Sequence, residues 1–142
     1  MSGCEPTDHR VEHPMGRPLP GLPGLLGIEL VRLDVDHVEA RLTVTEAHQV
    51  PDALHAHAGA VVTLADTVCG YGCRAALPDT AKGFITLELK TNLLRASLPG
   101  DRLVCVGRPL HVGRRTQIWD AAVTVGDAQR VVAAFRCTQL VL

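Results

Sequence analysis

Aromatic residues are scarce in this sequence, and positive charge is not in excess. Two Phe, one Tyr and one Trp make up 3% of 142 residues, and 14 Lys and Arg are set against 15 Asp and Glu, for a formal net charge of −1. Nucleic-acid-binding proteins use a basic surface, and single-strand binders add aromatic side chains on which bases stack. Both features are missing, so we expect no nucleic-acid partner.

Targeting and membrane-spanning segments are also lacking. The first residues, MSGCEPTDHRVEHP, have no basic run followed by an apolar core, so they do not form a secretory signal. No apolar run reaches the length of roughly 20 residues that spans a bilayer. The cysteines are odd in number and scattered, which suits reduced thiols better than a disulfide framework: Cys4, Cys69, Cys73, Cys105 and Cys137. We expect a cytoplasmic protein without membrane association.

Length and composition allow one domain with a packed core, because 46% of the residues are hydrophobic. Residues 1–20 are polar and rich in proline, which prevents regular structure, and they are predicted to be a disordered or loosely draped N-terminal arm. Residues 21–142 are predicted to be a single domain. We find no internal repeat and no interdomain linker.

The stretch from Ala58 to Cys73, AGAVVTLADTVCGYGC, is predicted to be a buried helix. Val62, Ala65, Cys69 and Cys73 recur at helical spacing, and no proline interrupts them. A helix that is apolar almost all round belongs inside a fold. The rest of the domain is therefore expected to surround this helix.

Asp66 is the one charged residue in that stretch. The residues on its helix face are small and offer no cation, and an unpaired buried carboxylate is costly. The side chain must find hydrogen bonds, take up a proton, or face a cleft that admits water and substrate. The residues alone leave these alternatives open, and the last one would make Asp66 functional.

Strands are predicted on both sides of the helix. A short helical turn at residues 23–26 precedes strands at 28–34 and 38–45, which form a hairpin, and an irregular loop at 46–57 leads to the helix. After the helix, a strand at 83–94 is expected to carry Phe84, Thr86, Glu88 and Lys90 on one face and Ile85, Leu87 and Leu89 on the other. Tight hairpins then join strands at 102–112, 115–125 and 129–141.

This order predicts an α+β fold in which an antiparallel sheet of five to six strands wraps round one long central helix. The four strands after the helix are expected to form a meander. One helix cannot cover so large a sheet, so the exposed remainder and the free strand edges predict self-association.

Two motifs stand in order along the chain: His57-Ala58-Gly59 followed by Leu64-Ala65-Asp66, and then the T-x-E-L-K stretch that begins at Thr86. In these motifs the sequence resembles the hot-dog-fold acyl-CoA thioesterases of the phenylacetate-pathway (PaaI-like) family. The resemblance covers residues of about 25 to 142. The resemblance implies the hot-dog fold and a homodimer that assembles into a homotetramer.

Catalytic roles follow from the same resemblance. It implies that the backbone amides of Ala58 and Gly59, in the first turn of the helix, bind the thioester oxygen as it becomes negative. Asp66 resembles the family's catalytic carboxylate, as a general base on water or as a nucleophile on the thioester carbon. Thr86 falls where relatives carry a Ser or Thr that positions the water, from a neighbouring strand or from the partner subunit.

One position departs from the family pattern. Relatives commonly carry Asn or Gln shortly before the helix motif, where this chain has Val50, Pro51 and Asp52. Gln49, His55 and His57 are the candidates to replace that amide in binding substrate. Arg95 is a candidate for the phosphates of coenzyme A.

No metal or cofactor is expected, because His55 and His57 have no acidic or cysteine cluster at ligand spacing. The sequence thus predicts a thioesterase that hydrolyses a small or medium acyl-CoA, with aromatic acyl groups included. Two alternatives stay open. One is a hot-dog protein that binds acyl-CoA without hydrolysing it, and the other is a hydratase or dehydratase on the same fold.

Overall fold

The computed structural model describes residues 15–126 and 130–142, which form one antiparallel sheet and one long helix. A 3₁₀ turn at Glu46–His48 lies in the loop before the long helix. The elements in chain order are α1 (Gly21–Leu25), β1 (Glu29–Asp34), β2 (His37–Thr43), α2 (Ala58–Ala75), β3 (Phe84–Leu93), β4 (Arg102–Val112), β5 (Thr116–Val125) and β6 (Arg130–Val141). The α+β class and the predicted order of two strands, one helix and four strands are confirmed. The predicted start of the last strand at Gln129 lies outside the described residues.

The strands lie in the order β1-β2-β4-β5-β6-β3, and every neighbouring pair is antiparallel. The predicted four-strand meander is therefore wrong, because only β4, β5 and β6 follow one another. After α2 the chain enters the sheet at the edge opposite β1, as β3 beside β6, and then crosses back to place β4 beside β2. Turn signals are local and cannot reveal such a crossing.

A β-bulge in β3 changes which side chains face the core. The pairing of β3 with β6 shifts by one residue between Thr86 and Glu88. Directly opposed residues share a face, so Leu89, opposite the buried Cys137, lies on the inner face with Thr86. Glu88 and Lys90 lie on the outer face. The predicted face assignment is wrong beyond Thr86, because strict alternation assumes a strand without a bulge.

Helix α2 packs against the inner face of the sheet and is buried along most of its length, as predicted. Leu64 and Val68 are fully buried, and so is Trp119 on β5. The contact is close at Gly72, where a Cβ atom would lie 2.4 Å from the Trp119 ring. Within the described residues no helix, α2 included, is long and apolar enough to cross a membrane.

The end of the predicted N-terminal arm lies against the sheet. Leu19 is buried in the core, and the Gly16 N–H donates to the Leu30 carbonyl at 3.4 Å. This part of the arm is draped over the domain. Residues 1–14 of the arm lie outside the described residues.

The four cysteines in the described ranges are buried free thiols, namely Cys69, Cys73, Cys105 and Cys137. Burial raises the pKa of Cys73 to about 12, so this thiol stays protonated at neutral pH. The pKa of Cys69 is also raised, first by a hydrogen bond with Cys137 and then by burial. These cysteines pack as small apolar side chains.

The close contact at Gly72 gives the first prediction. Gly72→Ala should lower the free energy of unfolding by about 1 to 3 kcal/mol, because the new methyl group collides with a ring that cannot move in a packed core. Gly70→Ala is the matched control on the same helix. Its Cβ would meet only Phe84, at 3.7 Å, so alanine's higher helix propensity should stabilise the protein by up to about 1 kcal/mol. Urea denaturation measures both. Equal effects of the two substitutions would contradict this account of the packing.

Candidate active site

The loop before α2 is tied down by backbone hydrogen bonds that fix where the helix begins. The His57 N–H donates to the His48 carbonyl at 2.7 Å, and the Ala56 N–H donates to the Ser97 carbonyl at 2.8 Å. Asp52 lies in the turn between His48 and His57. It has a positive φ of 65°, which aspartate tolerates better than most residues. The start of α2 is thus held from two sides.

His57 caps the N-terminus of α2 with its side chain. Its Nδ1 accepts a hydrogen bond from the Gly59 N–H at 2.8 Å. A Cβ atom at position 59 would lie 2.9 Å from this nitrogen, so glycine makes room for the ring. His57, Ala58 and Gly59 are exposed in the single chain. Ala58 lies in the first turn of the helix, where backbone N–H groups have no intrahelical partner and the helix dipole is positive.

A cavity of about 430 Å³ opens at this helix end. Four of the predicted site residues line it, and apolar side chains form most of the rest: Val50, His55, Ala56, His57, Ala58, Val61, Leu93, Leu94, Arg95, Ala96 and Ser97. The structure thus brings His55, His57 and Arg95 to the amide of Ala58. Gln49 is not part of this lining. It is half-buried and pairs with Ala56 in an isolated β-bridge.

Asp66 lies on the same helix, roughly 12 Å along its axis from Ala58. Its side chain is half-buried, and its Oδ1 atom is buried without a hydrogen-bond partner in the described part of the chain. Burial raises the pKa of Asp66 above its ordinary value, because the charged carboxylate is removed from water. A carboxylate with a raised pKa and a free oxygen is suited to accept a proton.

Thr86 lies on the edge strand β3, exposed to solvent. Its Oγ1 donates to Oε1 of Gln139 at 2.8 Å. In one chain, the cavity at the start of α2 contains neither Asp66 nor Thr86.

Some residues at these places were missed by the sequence reasoning. Ser97 lines the cavity, and its Oγ is buried without a hydrogen-bond partner among residues 15–126 and 130–142. Nothing in its local sequence indicates this. Gln139 is fully buried beside Thr86. The alternation of the last strand could have identified it, because Phe135 and Cys137 share its face and both are apolar.

Comparison with known proteins identifies the family. Residues 54–132, more than half of the chain, match the model of the thioesterase superfamily. The 1,4-dihydroxy-2-naphthoyl-CoA hydrolase of Escherichia coli is 30% identical over 84% of this chain and 85% of its own length. The proofreading thioesterase EntH of Cronobacter turicensis is 37% identical over 69% of each chain.

Solved structures show the same architecture. The PaaI protein of the Escherichia coli phenylacetic acid degradation operon has a TM-score of 0.75 at 25% identity, over 84% of this chain and 83% of that one. A Streptococcus mutans protein bound to acetyl CoA has a TM-score of 0.72 at 28% identity, over 81% and 88%. The sheet, the helix and the sequence match agree, and the chain is a hot-dog-fold member of the thioesterase superfamily.

Proposed function

We propose that this protein hydrolyses the thioester of a small or medium acyl-CoA, with aromatic acyl groups included, and that Asp66 is its catalytic carboxylate. The observation that carries this proposal is the Oδ1 atom of Asp66, which is buried and has no partner in the part of the chain that the structure describes, on the helix whose N-terminus opens into the cavity. A coenzyme A ester as the substrate agrees with two similar proteins. One is a 1,4-dihydroxy-2-naphthoyl-CoA hydrolase, and the other is the Streptococcus mutans protein bound to acetyl CoA.

The chemistry requires a donor for the thioester oxygen. We assign this role to the backbone amide of Ala58, an exposed residue in the first turn of α2. The amide of Gly59 holds His57 Nδ1 and becomes a second donor only when that ring turns away. The thioester carbonyl then lies against the positive end of the helix, where negative charge on its oxygen is stabilised.

Asp66 of a second copy of the chain supplies the attack, because Asp66 on the same helix lies roughly 12 Å from Ala58 and would not reach a thioester carbon bound there. As a general base it takes a proton from water while the water oxygen bonds to the thioester carbon and the carbonyl electrons move to oxygen. When the carbonyl reforms, the carbon–sulfur bond breaks, and the coenzyme A thiolate takes the proton from Asp66. As a nucleophile, Asp66 would instead form an anhydride that water then cleaves. Either route yields the free acid and coenzyme A.

Substrate contacts are proposed for the side chains that line the cavity. Arg95 is the cation there and would bind phosphate, while His55 and His57 flank the helix end and would contact the pantetheine arm near the thioester. Gln49, which lies outside the lining, would reach substrate only through a change in the loop.

A second copy of the chain is proposed to complete the site. The edge strand β3 exposes Ile85, Leu87, Leu89 and Leu93, each at least 42% exposed, which is unusual for an edge that stays free. Pairing of two such edges would cover these side chains and bring Thr86 of one chain toward the helix of the other. We propose a homodimer on this edge, with two dimers forming a tetramer.

The second prediction tests Asp66 as the catalytic group. Asp66→Asn keeps the shape and removes the base, so kcat should fall roughly 10²- to 10⁴-fold with little change in KM. Coenzyme A release from acetyl-, hexanoyl-, benzoyl- and phenylacetyl-CoA, followed with a thiol reagent, measures it. Asp79→Asn, an exposed aspartate in the loop after α2, is the control and should keep wild-type activity.

Equal release by wild type and Asp66→Asn would refute the assignment. The same panel separates the alternatives. Tight binding by calorimetry with no coenzyme A release from wild type would indicate a binding protein. Water added across enoyl-CoA, with no free acid formed, would indicate a hydratase.

The third prediction concerns stability and pH. The pKa of Asp66 is higher in the folded protein than in the unfolded chain, so the folded state binds more protons between these two pKa values. Wild-type stability should therefore fall as pH rises through that interval. Asp66→Asn removes this titration, and its gain in melting temperature over wild type should be larger at about pH 7.5 than at about pH 4. Asp79→Asn should show no such difference. A gain that is larger in acid would reverse the sign and disprove the burial argument.

The fourth prediction tests the β3 edge. Leu87→Lys, in the bulge of β3, should shift the protein toward monomer and reduce kcat/KM at least tenfold, because a charge opposes edge pairing. Leu110→Lys is a matched control, since it lies at a bulge in β4 and both leucines are 56% exposed. Analytical ultracentrifugation beside the activity assay measures both. A fully active monomer would contradict the shared site.

A further inference from the structure

Gln139 is a polar residue held in the core next to the proposed site. It is fully buried on β6, directly opposite Thr86 on β3. Its Oε1 accepts the hydrogen bond from Thr86 Oγ1 at 2.8 Å, and its Nε2 donates to the sulfur of Cys137 at 3.4 Å. We propose that Gln139 is a positioning residue, which fixes the Thr86 hydroxyl as a hydrogen-bond acceptor for the attacking water. This inference rests on the proposed function.

The proposal depends on how many hydrogen bonds the Thr86 hydroxyl can donate. A threonine hydroxyl has one hydrogen to donate and two lone pairs to accept with. Because its hydrogen is committed to Gln139, Thr86 can offer only lone pairs to whatever lies on its exposed side. The ionised carboxylate of Asp66 is also an acceptor only. The proposed site brings these two acceptors together, and two acceptors select a molecule with two donors, such as water.

Water held in this way is oriented for attack. One hydrogen points to Asp66 and the other to Thr86, which leaves a lone pair free for the thioester carbon. As the carbon–oxygen bond forms, the first hydrogen passes to Asp66 as a proton and the second stays on the new carboxylic acid group. The thiolate then leaves with the proton from Asp66. A direct attack by Asp66 would gain nothing from Thr86, because both groups would present lone pairs.

The Gln139 side chain stays in place because breaking its two hydrogen bonds is unfavourable. An amide without partners in an apolar core costs about 1 to 3 kcal/mol, so Gln139 keeps its oxygen on Thr86 and its nitrogen on Cys137. The bulge after Thr86 is part of this device, because the register shift begins immediately after the Thr86 and Gln139 pair. The hydroxyl is thus held at the boundary between the core and the open edge of the sheet.

Gln117 provides a natural comparison. It lies opposite Gln139 on the neighbouring strand β5, faces the same way and is equally buried. Its Oε1 accepts from Trp119 Nε1 at 2.8 Å, and its Nε2 donates to the Ala76 carbonyl at 3.2 Å. Gln117 therefore links the end of α2 to Trp119, whereas one end of Gln139 holds a side chain of the proposed site.

A double-mutant cycle tests the proposal. Gln139→Met keeps the side-chain volume and removes the amide, and it should lower kcat roughly 2- to 10-fold with KM unchanged, the value of about one hydrogen bond. Thr86→Val should lower kcat at least as much, and the double variant should be no slower than Thr86→Val alone. Gln117→Met, the matched control, should lower the melting temperature without lowering kcat at a temperature where it is folded.

Two outcomes of the cycle would overturn the proposal. If the effects of Gln139→Met and Thr86→Val multiply in the double variant, Gln139 does not act through Thr86. If Thr86→Val has no effect, the role of Thr86 fails along with that of Gln139, while Asp66→Asn still decides separately whether the protein is a thioesterase.

A measurement on the wild type keeps the proposal testable even if Gln139→Met fails to fold. In a single turnover with enzyme in excess in ¹⁸O water, direct attack by water places one ¹⁸O atom in the product acid. Product acid without ¹⁸O would mean that its new oxygen came from Asp66, and would overturn the water-orienting role. The isotope content is read by mass spectrometry of the acid.

Discussion

The half-buried carboxylate of Asp66, which has no cation beside it among the described residues, is the constraint on which this structure depends. The charged form of Asp66 raises the free energy of the fold, so the packing around α2 must offset it. Trp119 presses on the helix at Gly72, and Leu64 and Val68 are fully enclosed. The small residues of the helix allow both the close packing and the isolation of the acid. They let the sheet approach closely, and they offer Asp66 no charged partner on its own helix face.

The helix divides its work between its two halves. Its N-terminus presents the amide of Ala58 beside a cavity, with the His57 ring as cap, while its middle carries the acid. Backbone hydrogen bonds from the end of the preceding loop to His48 and Ser97 fix the position at which the helix begins. The distance from the Ala58 amide to Asp66 is set by the helix itself, roughly 12 Å over eight residues.

The two buried glutamines have different roles although they are the same residue type. Gln117 and Gln139 lie side by side on the inner face of the sheet, and neither leaves its amide unpaired. One fastens the end of α2 to Trp119, and the other reaches the open edge at Thr86. Polar groups in a core tend to be satisfied completely, so the identity of the partner indicates what each one does.

The sequence by itself determined the features that depend on local periodicity: the buried helix, the order of helix and strands along the chain, the α+β class, and Asp66 as the isolated acid. The motif around His57 also indicated the family. Only the tertiary structure decided that β3 lies at the far edge, that a bulge follows Thr86, and that Gln139 holds its hydroxyl. The physical reason is range. Alternation and helical spacing arise between residues a few positions apart, whereas strand neighbours, bulges and buried polar partners are set by contacts between segments distant in the chain.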